Sequence, residues 1–199
     1  GKQRTIALLG RSRSSLAPIA QLLKQQNIGF RAVELESLSE RQEVQDILAL
    51  SRALLHLADR AAWIALLRSP LVGLNLTDLT RLIGDMPYQS AWAAIERYRN
   101  REGQGWSFEK LPELTQEALL RLNQSIPVLD NALQRLGSLP FATLLRETWL
   151  QLDGPQTVEN ALALENVEVF CLTLAESDSP IINLQQLEQQ MEKLFARPD

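Results

Sequence analysis

Ser39-Glu40-Arg41-Gln42-Glu43-Val44-Gln45-Asp46 is the stretch at which the chain changes character. Before it, apolar residues come in short runs. After it, they recur at three-and-four spacing, the signature of amphipathic helices. Ser39 followed by Gln42 has the form of a capping box, in which a hydroxyl and a side-chain amide satisfy two orphan N–H groups at a helix start. Val44, Ile47, Leu48, Ser51, Leu54 and Leu55 then define one face. Glu40, Arg41, Glu43 and Asp46 crowd the start of this helix, where charges usually solvate it and acids suit the positive end of the dipole.

Downstream, Asp59 is placed to cap a helix that turns Trp63, Leu66 and Leu67 inward, and Ser69-Pro70 ends it. Asn75 or Thr77 opens a short helix through Leu79, Leu82 and Ile83, closed by Gly84. Trp92, Ile95 and Tyr98 mark the next, followed by a polar loop from Arg99 to Gly105. Leu111, Leu114, Ala118, Leu122 and Ile126 continue at helical spacing. Ser125 ahead of Pro127 predicts a kink or a fresh helix start. Further helices carry Phe141, Leu144, Leu145, Thr148 and Trp149, then, past the stop and restart at Gly154-Pro155, Val158, Leu162, Val167, Phe170 and Leu174. Leu184, Leu187, Met191, Leu194 and Phe195 predict a last one.

Upstream the pattern differs. Thr5-Ile6-Ala7-Leu8-Leu9 is long enough for a buried strand and too short for a helix. A loop, Gly10-Arg11-Ser12-Arg13-Ser14-Ser15, leads to a helix from Leu16 to Gln26 with Pro18 in its first turn. Phe30-Arg31-Ala32-Val33-Glu34-Leu35 reads as a second strand. Strand–helix–strand implies a parallel pair with a right-handed crossover. The fold class expected is mainly α: a partial α/β piece within residues 1–84, then an all-helical part over 85–199. Two strands do not make a stable sheet, so the α/β piece looks cut from a larger one. The opening on Gly1 rather than Met points the same way.

Composition narrows the chemistry. With 199 residues and 45% hydrophobic content, the chain can bury one ordinary core or two small ones. One Cys and one His exclude a disulfide framework and most metal sites built on those ligands. No apolar run approaches a membrane span and no leader resembles a signal peptide, so a cytoplasmic origin is expected. Net charge is −4, where a freestanding nucleic-acid-binding domain would show a basic excess. Contact with nucleic acid should therefore be local and shared with other parts of a larger assembly.

Two loops are candidate sites. Gly10-Arg11-Ser12-Arg13-Ser14 lies at the carboxyl end of the first strand, where ligands of open α/β sheets sit, and its arginines before a helix N-terminus suit a phosphate. The alternative is a solvated strand-to-helix turn. Arg68-Ser69-Pro70-Leu71-Val72-Gly73-Leu74 is a turn whose N–H groups suit a phosphate, or a plain connector. His56 near a helix end is expected to face water. Cys171, among Val169, Phe170 and Leu172, is expected to be a buried apolar residue. Trp63, Trp92 and Trp149 fall at core positions; Trp106 beside a Gly-containing loop is the one whose exposure could let it stack on a base, and packing is the expected role even there. The only Gly-Lys pair, Gly1-Lys2, has no loop before it, so there is no P-loop.

In order, these segments resemble the UvrD/Rep-like superfamily 1 DNA helicases. Ile6-Ala7-Leu8-Leu9-Gly10-Arg11-Ser12 is similar to motif IV, a strand ending in Arg-Ser. Ser39 to Asp46 resembles the "E-R-Q-E-I-K-D" helix start, and Arg68 to Leu74 the following "N-x-P-x-R-G-I-G" turn. There the family's Arg before Gly is Val72, and its second Gly is Asn75 or absent. The run from Ala17 through Leu79 is most similar to the RecB/AddA-like branch, the exodeoxyribonuclease V beta type. Past Gly84 the helices resemble in layout the inserted subdomain 2B.

The resemblance implies a piece running from motif IV to just before motif V, with residues 1–84 in RecA-like domain 2A and 85–199 in 2B. It implies that Arg11 reaches the γ-phosphate of ATP, that Arg41, Glu43 and Asp46 support the domain, and that Ser69, Pro70 and Gly73 lie near single-stranded DNA. ATP and Mg would belong to the full-length protein, a DNA helicase with or without exonuclease activity in repair or recombination, and the fragment alone is expected to bind neither. Single-stranded or duplex DNA and partner subunits of a helicase–nuclease complex are the implied partners, with no membrane. The rival reading is a helical protein–protein interaction module needing no nucleotide.

Overall fold

A computed structural model of the chain describes residues 37–84, 89–99 and 113–176, with isolated positions 6, 8, 16, 18, 19, 22, 23, 25, 26, 28 and 189. Its architecture is mainly α. The strand–helix–strand unit is not shown. The second strand, most of the first and Arg11 lie outside the described residues, while Ile6 and Leu8 are exposed and in no regular element. The helix between them is present at Leu16, Pro18, Ile19, Leu22, Leu23 and Gln25.

Leu38–Glu40 form one 3₁₀ turn, and Arg41, in extended conformation, leads into helix α1, Gln42–Leu55. The capping box expected of Ser39 and Gln42 does not form. Ser39 sits inside the 3₁₀ turn with its hydroxyl 2.8 Å from that of Ser37, and the Gln42 amide points forward to Asp46. The Gln45 side chain donates instead to the Ser39 carbonyl, closing the turn onto the helix.

Helix α2, Arg60–Arg68, starts as expected at Asp59, whose carboxylate accepts the Ala62 N–H at 3.0 Å. Asn75, not Thr77, caps α3, Leu76–Ile83. Helix α4 is Ala91–Arg99. Helix α5, Gln116–Gln134, continues past Pro127, so no fresh helix start follows Ser125. Pro127 removes the donor for the Asn123 carbonyl, but both residues are on the exposed side, where water replaces it. Helix α6 is Phe141–Gln151, and Gly154 opens the four-residue α7, Gly154–Thr157. The helix expected from Val158 begins later, as α8, Ala161–Ala175, capped by Asn160.

Helix α1 is the hub, packing on α2, α5, α6 and α8. Its buried face includes Val44, Ile47, Leu50 and Leu54, each worth about 1.5–3 kcal/mol by burial. Ser51 is also buried there, and its hydroxyl donates back to the Ile47 carbonyl at 2.7 Å, so no polar atom is stranded. Trp63 of α2 is fully buried against Trp92 of α4, ring centroids 5.1 Å apart. One apolar core contains residues from both sides of Gly84, from Leu38 to Leu174.

Candidate functional site

The polar side of α1 and the alanine side of α2 face each other across an open cleft of about 600 Å³. Gln42, Gln45, Asp46, Ala49 and Arg52 line it from α1, at spacings of three, one, three and three residues that follow one helical stripe. Ala61, Ala62 and Ala65 form the opposite wall, and Arg68, Ser69 and Pro70 close one end. Small side chains on α2 are what hold the slot open. A leucine at Ala65 would fill it.

Asp46 is 8% exposed. The Gln42 amide donates to its carboxylate at 2.7 Å, and among the described residues no cation pairs with it. Burial pushes its pKa above the ordinary value; the Gln42 hydrogen bond opposes this and the Glu43 charge adds to it. Arg52, also in the cleft, is held by Asp59 at 2.9 Å. The Asp59 carboxyl lies below its ordinary value mainly through the Ala62 N–H, with the Arg52 guanidinium assisting against partial burial. Arg68 is exposed at the last turn of α2 and makes no ion pair among the described residues.

The turn after α2 is closed by its own hydrogen bonds. The Ser69 carbonyl accepts from Val72 and Gly73 at 3.1 and 2.7 Å, Leu74 N–H donates to Leu67, and Leu71 N–H donates to the Ser69 hydroxyl. The amides read from sequence as suited to a phosphate are thus engaged within the turn. Leu71, Val72 and Leu74 are buried, so the position where the resembling turn has Arg points a valine into the core. Gly73 has φ +79°, and the Arg121 guanidinium of α5 lies against the space a Cβ would take. Arg121 is itself paired with Glu117 at 2.7 Å.

The structure therefore brings Asp46, Ser69 and Pro70 to one cleft. Arg41 precedes α1, Glu43 reaches away to Asn166 of α8, and Gly73 lies under Arg121, none of them lining it. Sequence reading did not assign Gln42, Gln45 and Arg52 to a site, although their helical spacing was the signal available, and it named Arg68 only as the start of the candidate turn. His56 is exposed at the end of α1. Cys171 is buried, and burial pushes its thiol up to about 11.

Residues 1–104 match the UvrD-like helicase C-terminal domain. The chain belongs to this family. The matched span takes in the whole α1–α2 cleft, the turn after it, and α3 and α4. No curated protein matches the chain. Among the described residues of this helicase-family domain, no helix is long and apolar enough to cross a membrane and no group of three His, Cys, Asp or Glu side chains is placed to hold a metal ion.

Proposed function

We propose that the chain is the motif IV-to-motif V part of an ATP-driven DNA helicase of the RecB/AddA-like, helicase–nuclease branch, acting in repair or recombination. The helicase part of this reading is supported by the family match over residues 1–104, and the branch and its role rest on the resemblance of the quoted segments. The strands at Thr5–Leu9 and Phe30–Leu35 would complete a RecA-like sheet with strands from elsewhere in the protein, and residues 85–199 would form the 2B-like part. ATP with Mg is the substrate of that whole protein. Arg11 would stabilise charge developing on its γ-phosphate, a contribution of the kind arginines make in phosphoryl transfer.

Ser69 and Pro70, with Arg68 beside them, support a contact with single-stranded DNA at the end of the cleft. Arg41, Glu43 and Asp46 belong to the helix that positions it. The test is ATP hydrolysis by the intact helicase carrying Arg11→Ala: DNA-stimulated turnover should be lost, and normal turnover would remove the arginine's assignment. Partner subunits are a second reading, favoured by the outer face of α8, where Leu164, Val169 and Leu172 are exposed. Association measured for a Leu172→Lys variant tests that contact.

A further inference from the structure

The geometry points to the α1–α2 cleft as a nucleobase pocket, with Asp46 reading the amino edge of a base and Arg68 holding the adjoining phosphate. This rests on the DNA contact proposed above and adds a base-reading role to it.

Three observations carry it. The volume of about 600 Å³ lies in the range of small-molecule sites, ~300–1,000 Å³. The slot has an apolar wall of alanines on one side and hydrogen-bonding groups on the other, which suits a flat heterocycle with polar edges. Its α1 side holds Asp46, 8% exposed, whose carboxylate accepts from the Gln42 amide and pairs with no cation among the described residues. Such a carboxylate gains from each further donor that reaches it.

Charge at the rim decides between occupants. A basic peptide could supply donors to Asp46, but it would meet Arg68, which makes no ion pair among the described residues, as a like charge, while Arg52 is already neutralised by Asp59. A nucleic-acid strand supplies N–H donors from its bases and negative phosphates for Arg68. Carboxylates accept from the cytosine N4 amino group, whereas thymine presents a carbonyl oxygen at that position. The pocket should therefore favour cytosine over thymine.

The experiment measures fluorescence anisotropy of labelled oligo-dC and oligo-dT with the 199-residue chain at low salt, for the native sequence, Asp46→Asn and Arg68→Ala. The native chain should bind oligo-dC at least about fivefold more tightly, the discrimination of one good base contact. Asp46→Asn should abolish that preference, because the amide donates to the thymine carbonyl as readily as it accepts from the cytosine amino group. Arg68→Ala should weaken both strands equally and preserve the ratio. Equal binding of the two strands by the native chain, with Arg68→Ala still weakening both, overturns the base pocket and leaves the DNA contact standing. No binding of either strand overturns both. An oligo-arginine peptide that binds the native chain more tightly than oligo-dC also overturns the pocket, in favour of a peptide site.

Discussion

The Asn166 side-chain amide donates to the Glu43 carboxylate at 2.7 Å, tying the first turn of α1 to the middle of α8. The two residues are 123 positions apart, and Asn166 is buried. Glu43 thus supports the fold by a contact to the far end of the described helices, and the helix that carries Asp46 is fixed in rotation by it. Asn166→Ala should cost about 1–3 kcal/mol, the range for a hydrogen bond to a charged group whose partner is left behind. Urea unfolding checks this. Glu43→Gln, which keeps an acceptor oxygen, should cost clearly less, and an equal loss from both variants would deny the bond its role.

Gly73 should resist substitution chiefly through its backbone. Its φ of +79° is a conformation that costs an L residue about 1–2 kcal/mol. A Cβ would also displace the Arg121 guanidinium, the far end of a flexible, partly exposed side chain. Gly73→Ala should therefore lose about as much in the native background as in Arg121→Ala. A double-mutant cycle by thermal melting should give a coupling below about 0.5 kcal/mol. A larger coupling would mean that Glu117 holds the guanidinium in place.

Gly154 answers to a different contact. A Cβ there would overlap the Trp149 indole, which is buried at the end of α6. The ring is rigid and has no room to withdraw. Gly154→Ala should cost about 1–3 kcal/mol, as overpacked sites do, and shift the tryptophan emission of the folded chain. Native-like stability with unchanged emission would sink the argument.

What the sequence made legible was decided by range. Apolar spacing located α1 to α6, because Val44, Ile47 and Leu54, or Leu144, Leu145 and Trp149, declare one face within a few turns. Asp59 was readable as a cap for the same local reason. Ser39 was not, because a 3₁₀ turn and an α-helical capping box share the same Ser-x-x-Gln spelling, and the choice rests on how Leu38 is buried. The fresh start read at Pro127 does not occur, because the carbonyl it leaves without a donor lies on the exposed side, where water serves it. The cleft needed two helices to be placed against each other, so Asp46 and Pro70 were singled out separately without any sign that they share a wall. Glu43–Asn166 and Gly73–Arg121 are long-range pairs that no local pattern announces.

Asp78 and Asp46 should give the stability of this chain two opposed responses to pH. Asp78 is fully buried at the start of α3. Burial alone would raise its pKa, but the Thr115 hydroxyl and N–H, at 2.7 and 2.9 Å, and the Asn75 amide, at 2.6 Å, hold it below the ordinary 3.8, with the Arg81 charge assisting. Its native form binds a proton less readily than its unfolded form. The stability it contributes is therefore fully present above pH 3.8 and is lost as pH falls through the lower native value. Asp46 is the reverse case: its native form holds the proton more tightly, so it lowers stability as pH rises from 3.8 through its native value, and the loss persists at neutrality. Asp78→Asn should destabilise at neutral pH and flatten the acid limb of the stability curve. Asp46→Asn, which keeps an acceptor for Gln42, should raise the urea midpoint at neutral pH, with the gain fading as pH falls through the raised native value towards 3.8. Midpoints measured across that range decide it: a neutral-pH midpoint for Asp46→Asn at or below that of the native chain would show that the buried carboxylate carries no penalty, and that its place in the cleft needs no ligand to explain it.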